Sequence, residues 1–190
     1  MSESLELRLE AIVRSGPRLM QVLETARDLD LPDWLIFSGA VYQRVLNHLT
    51  GRDLDYGIKD YDLGYHDASD VSYDAEDAVI RRVAAAFEPP LRELVEVRNQ
   101  ARVHLWFEGK FGEPYASLGC TAEALERFTS ATFSVGVRLE KDGRLTVAAP
   151  FGLEDLFALR LRPNPIRQTA GFARTAAAAA ARWPELQIIN

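Results

Sequence analysis

The chain has 190 residues, of which 47% are hydrophobic, so it is long enough to bury one sizeable core. A formal net charge of -6 argues against a broad basic surface for nucleic acid or for anionic membranes. The single cysteine, Cys120, excludes an intrachain disulfide and a multi-cysteine metal site.

Hydrophobic periodicity and turn residues divide the chain into alternating helical and strand segments. In chain order they predict helix 3–14, helix 17–29, strand 34–37, helix 41–49, strand 58–65, helix 73–87, strands within 94–107, helix 121–128, strands 132–139 and 145–149, helix 153–160 and helix 167–183. No basic region precedes an apolar core at the N-terminus, and no apolar run reaches membrane-spanning length. We therefore expect a cytoplasmic protein.

The turn after the first predicted strand contains Ser38 and Gly39. Gly39 lacks a Cβ where the chain turns, so backbone N–H groups of the turn and of the next helix could approach a phosphate closely. The alternative is a strand-to-helix turn that needs glycine for its own geometry.

The predicted strand over residues 58–65 carries Asp60 and Asp62. Because side chains alternate across a strand, we expect both carboxylates on one face. A divalent cation would relieve their mutual repulsion and the cost of burying them, and Mg²⁺ commonly binds one or two carboxylates together with a substrate phosphate. The pattern predicts a metal site for phosphoryl or nucleotidyl transfer, with a solvated face of an edge strand as the alternative.

The segment 94–107 alternates polar and apolar residues and predicts a half-buried strand with one polar face. The residues on that face are Glu96, Arg98, Gln100, Arg102, His104 and Trp106. This register holds only if Asn99 does not turn the chain or form a bulge.

The order of these motifs resembles the DNA polymerase β-like nucleotidyltransferase superfamily. Its members have a Gly-Ser or similar glycine turn, then an Asp-x-Asp strand, then a third acidic residue on a neighbouring strand. More specifically, the chain is similar to a bacterial nucleotidyltransferase-like family. The similar pieces are Gly39-Ala40 with Arg44 and Asn47, residues 58–63, residues 99–106 and residues 149–156.

Two departures from the superfamily pattern affect the predicted site. The order Gly-Ser is inverted here as Ser38-Gly39, and the third acidic residue is not self-evident. Glu96 is the first choice because it lies on the polar face, Glu108 is the second, and His104 could replace a carboxylate.

The resemblance implies a metal-dependent transfer of a nucleoside monophosphate from an NTP to a hydroxyl acceptor. Asp60 and Asp62, with Glu96 as third ligand or base, would hold Mg²⁺ or Mn²⁺. Ser38 and Gly39 would hold the triphosphate. The remaining candidates each have a structural alternative: Arg44 and Arg102 could balance phosphate charge or form ion pairs, and His104 could move a proton or be a hydrogen-bonded structural residue.

The expected fold class is α+β, with a mixed, largely antiparallel sheet flanked by helices. Residues 1–165 would form the nucleotidyltransferase-like domain, and residues 166–190 a helical extension of that same domain. Two other functions stay open: a catalytically degenerate module that binds a nucleotide or a partner, and a hydrolase that uses the same metal pair. The acceptor, the nucleotide preference and the oligomeric state are not predicted.

Overall fold

The structure, a computed structural model, describes residues 4–167 and 169–189. Its helices are α1 (Leu5–Arg14), α2 (Pro17–Leu29), α3 (Gly39–Leu49), α4 (Tyr73–Ala86), α5 (Leu91–Leu94), α6 (Phe107–Phe111), α7 (Glu154–Phe157) and α8 (Gly171–Arg182). Its strands are β1 (Leu35–Phe37), β2 (Tyr61–Tyr65), β3 (Val95–Asn99), β4 (Gly136–Leu139), β5 (Leu145–Ala148), β6 (Arg160–Leu161) and β7 (Gln187–Ile188). Short 3₁₀ helices cover Gln100–Leu105, Thr121–Arg127 and Ala131–Phe133.

The main sheet has five strands in the order β3-β2-β1-β4-β5. The strand β2 pairs in parallel with β3, and every other neighbouring pair in this sheet is antiparallel. Helices flank the sheet, so the predicted α+β class with a mixed, largely antiparallel sheet is confirmed. A separate two-stranded parallel sheet joins β6 to β7.

The two faces of the main sheet have different surroundings. One face carries Ile36, Leu63, Val97 and Val137, which are paired across neighbouring strands and belong to the large hydrophobic core. On the opposite face, Leu35 and Phe37 pack with Leu125 in a smaller cluster. The candidate site lies on this second face.

The predicted polar strand over 94–107 is wrong beyond Asn99. The Asn99 side chain accepts a hydrogen bond from the backbone N–H of Ala101 at 3.0 Å and donates to the Asp67 carbonyl at 2.8 Å. Because these bonds turn the backbone, β3 ends at Asn99 and a 3₁₀ helix begins at Gln100. The residues after Asn99 therefore do not share a strand face with Glu96.

The last helix is attached to the rest of the molecule by a buried tryptophan. Trp183 follows α8, is 1% exposed, and donates from Nε1 to Oδ1 of Asn47 in α3 at 2.9 Å. Among the described residues, no helix is long and apolar enough to cross a membrane.

Candidate functional site

Two carboxylates face each other across neighbouring strands of the sheet. Asp62 on β2 is the register partner of Glu96 on β3 and of Phe37 on β1. Register partners point to the same side of a sheet, so Asp62 and Glu96 share the face opposite the large core. Asp60 lies one residue before β2, outside the regular strand.

The pKa of Asp62 is raised from 3.8 to about 6. Burial of the carboxyl is the largest cause, and the negative charge of Asp60 is the second. A hydrogen bond with the Ser38 side chain opposes the shift, Glu96 adds to it, and Arg98 gives the smallest contribution by lowering it. Asp62 therefore carries negative charge that the nearby cation compensates only weakly.

Tyr42 on α3 lies close enough to Asp60 and Asp62 to feel their charges. Burial raises the pKa of its phenol, and the charges of Asp60 and Asp62 add smaller increases, whereas Gln43 and Arg182 lower it. The Tyr42 ring stacks on Phe133 with ring centroids 3.8 Å apart. The phenol thus stays protonated near neutral pH and offers a hydrogen-bond donor beside the two aspartates.

The turn from β1 to α3 places Ser38 beside Asp62. Ser38 has a φ of 65° and a ψ of -142°, a backbone conformation that is rare for a residue with a side chain. It does not cap α3 with its side chain. A Cβ on Gly39 would lie 2.5 Å from Nε2 of Gln43, so a larger residue there would displace the flexible Gln43 side chain. The start of α3 therefore presents backbone N–H groups next to the Ser38 hydroxyl.

The acidic face fits a divalent cation, although it is not a complete cage. Among the described residues, no three His, Cys, Asp or Glu side chains are placed to form a metal site by themselves. Mg²⁺ usually keeps several waters and takes one or two carboxylates together with substrate phosphates. Asp60 and Asp62 match that ligand set, and burial together with the charges of Asp60 and Glu96 raises the pKa of Asp62, an effect that a bound cation would oppose.

Arg44 lies away from the acidic face. Its side chain is fully buried and forms an ion pair with Asp55, with 2.5 Å between Nη2 and Oδ1. The guanidinium occupies the space beside Gly16, where a Cβ would lie 2.0 Å from Nη1. Arg44 therefore adopts the ion-pair alternative rather than the phosphate-binding role.

The other candidates that follow Asn99 also lie apart from Asp62. Arg102 forms an ion pair with Glu76 of α4 and donates to the Val71 carbonyl at 3.2 Å. His104 belongs to the 3₁₀ helix, and its Nδ1 is buried with no hydrogen-bond partner among residues 4–167 and 169–189. Glu108 is exposed on α6. Of the three candidates for the third acidic position, the structure brings only Glu96 opposite Asp62.

A cavity of about 660 Å³, lined in part by Ser38, was not predicted from the sequence. Its walls come from segments far apart in sequence, including Tyr42, Phe107, Phe128, Arg127, Arg167 and Arg174. No spacing in the sequence links these segments. The one available signal was the density of aromatic residues within residues 106–115.

Comparison with known proteins identifies a family and a fold. A family model described as nucleotidyltransferase matches residues 24–188. A solved structure described as "The NMR structure of the protein reveals a CCA-adding enzyme head domain" matches with a TM-score of 0.77 at 22% identity. That match covers 100% of this chain and 98% of the other, and at this identity it shows the fold alone. No curated protein matches the chain.

Proposed function

The chain belongs to the nucleotidyltransferase family, and from that premise we propose that it moves a nucleoside monophosphate from an NTP to a hydroxyl acceptor with the help of Mg²⁺ or Mn²⁺. Family membership and fold confirm the resemblance predicted from the sequence. The metal, the acceptor and the site residues are the proposed part.

The observation that carries the proposal is the negative charge around Asp62. Burial is the largest cause of the raised pKa of Asp62, Asp60 and Glu96 add to it, and Arg98 lowers it by the smallest amount. A purely structural carboxylate on a half-buried sheet face would be expected to have an arginine or lysine partner. Binding of a divalent ion with nucleotide phosphates would explain why Asp62 forms no ion pair within the described part of the chain.

In the proposed reaction, the acceptor oxygen forms a bond to the α-phosphorus, and the bond from that phosphorus to the β-phosphate oxygen breaks. Pyrophosphate leaves, and the hydroxyl proton passes to a base. Asp60 and Asp62 would hold the divalent ion, which supplies charge neutralisation and lowers the pKa of the acceptor hydroxyl when bound. Glu96, exposed and opposite Asp62, would take the proton.

The start of α3 would hold the leaving phosphates. Helix N-termini bind phosphate through free backbone N–H groups and the helix dipole, and α3 begins at Gly39 without a side-chain cap. The Ser38 hydroxyl would instead donate to Asp62 and so keep that carboxylate beside the start of α3. Tyr42, one turn along α3, supplies a protonated phenol that can donate to a phosphate or acceptor oxygen.

Pyrophosphate release tests the function. The chain is incubated with Mg²⁺, each of the four common NTPs and a panel of small hydroxylated acceptors, and products are identified by mass spectrometry. We expect acceptor-dependent pyrophosphate release that Asp62→Asn reduces by a factor of about 100 or more. Glu24→Gln, an exposed change on α2, is the matched control and should leave the rate unchanged. Release that does not depend on the acceptor would indicate hydrolysis and would contradict transfer.

A further inference from the structure

One cavity, lined in part by Ser38, has the size of a small-molecule site. Its volume of about 660 Å³ lies within the usual range of about 300–1,000 Å³ for ligand pockets. Its lining comes from the β1–α3 turn, from α6 and from the start of α8. Because the Ser38 side chain also hydrogen-bonds Asp62, the cavity adjoins the acidic face.

The charge of this cavity is opposite to that of the chain as a whole. Its lining contains three arginines, Arg127, Arg167 and Arg174, and one acidic residue, Glu113. Glu113 is ion-paired with Arg167, with 2.5 Å between oxygen and nitrogen. Arg127 has a buried Nε with no hydrogen-bond partner among the described residues, and Arg174 forms no ion pair within that same part of the chain. Two positive charges are thus available to a ligand.

Aromatic rings form much of the remaining wall. The Arg167 guanidinium lies over Phe107, 5.5 Å from the centroid of the phenylalanine ring. Phe133 stacks on Tyr42. Phe128 packs edge-on against Phe37, with ring centroids 5.9 Å apart. Such rings favour a flat, apolar ligand body, and arginines favour a carboxylate or phosphate attached to it.

We propose that this cavity binds the acceptor, and that the acceptor is a small anionic molecule with an aromatic body. This inference rests on the proposed nucleotidyl transfer and assigns its acceptor class. The acceptor hydroxyl would reach the acidic face beside Ser38, while Arg127 and Arg174 would hold the anionic group.

A nucleotide shares this chemistry, because it also joins a planar ring to anionic groups. The acceptor and the nucleotide differ in which positive groups they need to hold their anionic groups. In the proposed reaction the NTP phosphates have the divalent ion and the start of α3, so the cavity arginines are not required to hold them.

Calorimetric titration of the full chain with phenyl phosphate in EDTA tests the binding step without any metal-bound nucleotide. Inorganic phosphate and phenol serve as probes that lack the ring or the charge. We expect phenyl phosphate to bind at least tenfold more tightly than either. Arg174→Gln should weaken binding at least fivefold, and Arg174→Lys should retain most of it. Arg174 is exposed, so these variants are expected to fold, and Arg81→Gln on α4 is the exposed control.

A second titration separates an acceptor site from a nucleotide site. Phenyl phosphate is titrated again with Mn²⁺ and a saturating non-hydrolysable NTP analogue, and its affinity should be unchanged. Competition by the analogue would assign the cavity to the nucleotide and overturn the proposal. Failure of phenyl phosphate to outbind phosphate and phenol, or an unchanged affinity in Arg174→Gln and in Arg127→Gln, would overturn it as well.

Failure of the proposed acceptor class and failure of the proposed nucleotidyl transfer give different results. If transfer is wrong, no acceptor gives acceptor-dependent pyrophosphate release in the wild type, and the acceptor role falls even where phenyl phosphate binds. If only the acceptor class is wrong, pyrophosphate release persists with other acceptors and is insensitive to Arg174→Gln.

Discussion

Asp62 and Glu96 are direct partners in the parallel pairing of β2 with β3, so their carboxylates lie on the same face of the sheet. Glu96 is exposed, whereas Asp62 is half-buried and has a pKa of about 6. Like charges placed in this way oppose folding unless something positive binds between them. The stability of the protein should therefore report on the site directly.

The metal-free protein should become more stable when the Asp62 charge is removed. The pKa of Asp62 is raised from 3.8 in a free carboxyl to about 6 in the fold, so the folded state holds this proton more tightly than the unfolded state. Between these two values the free energy of unfolding falls as pH rises, because the unfolded chain has already lost the proton. We expect Asp62→Asn to abolish this slope and to add about 1–2 kcal/mol at neutral pH.

Urea denaturation in EDTA across the acid-to-neutral range measures this effect. Glu24→Gln removes one exposed carboxylate and should keep the wild-type slope. An Asp62→Asn variant that is less stable than the wild type at neutral pH would show that the Asp62 charge is structurally compensated, contrary to this prediction.

With metal and nucleotide bound, the difference in stability should reverse, so that the wild type is more stable than the Asp62 variant. A ligand that binds only the folded state at about 100 times its Kd adds about 2.7 kcal/mol. For a domain of this size we expect Mn²⁺ with an NTP analogue to raise the Tm of the wild type by roughly 5–10 °C. Asp60→Asn combined with Asp62→Asn should lose the shift while folding normally, and Glu24→Gln should keep it. An equal shift in the double variant would place the metal elsewhere.

The local patterns that the sequence predicted well are those fixed by near neighbours. The β1 run, the Ser38-Gly39 turn and α3 follow one another within residues 34–49, and apolar spacing identifies them. Parity also put Glu96 on the polar face of its strand, because β3 is regular up to Asn99, but its position opposite Asp62 came only from the structure.

The parts that could not be predicted depend on contacts distant in sequence. Asn99 ends β3 with a local bond from the Ala101 N–H, which its residue type allows, and with a bond to the Asp67 carbonyl, which nothing in residues 94–107 predicts. Arg44 is buried because the loop after α3 brings Asp55 to it. The cavity arginines come from segments that periodicity does not relate, so only the assembled fold reveals them.

Glu96 should contribute more to the chemical step than His104 and Glu108, the other two candidates for the third acidic position. We expect Glu96→Gln to lower kcat for pyrophosphate release by about 100-fold, because a positioned acid–base group contributes on that order or more. His104→Gln and Glu108→Gln should leave kcat within about twofold, since the structure places neither of them opposite Asp62. A large loss in His104→Gln with unchanged Tm would contradict the assignment of Glu96.

Arg44 should affect stability and not nucleotide binding. Arg44→Met leaves Asp55 without its closest cation, although Arg18 lies 3.8 Å away and Asp55 is partly exposed. We expect a loss of about 2–3 kcal/mol in the free energy of unfolding. The Tm increase caused by Mn²⁺ and nucleotide should be the same as in the wild type; a lost increase in the folded variant would restore Arg44 as a phosphate ligand.

The segment after residue 165 should unfold together with the rest of the chain. Trp183→Phe removes the Nε1 donor to Asn47 and leaves a small void, so we expect a loss of about 2 kcal/mol. If residues 166–190 extend the same domain, thermal unfolding followed by circular dichroism and by fluorescence should coincide in one transition shifted to lower temperature. Trp106→Phe, at a half-buried position, is the matched control and should shift the Tm little. Two separate transitions in Trp183→Phe would contradict this, because α8 would then unfold while the sheet and α3 stay folded.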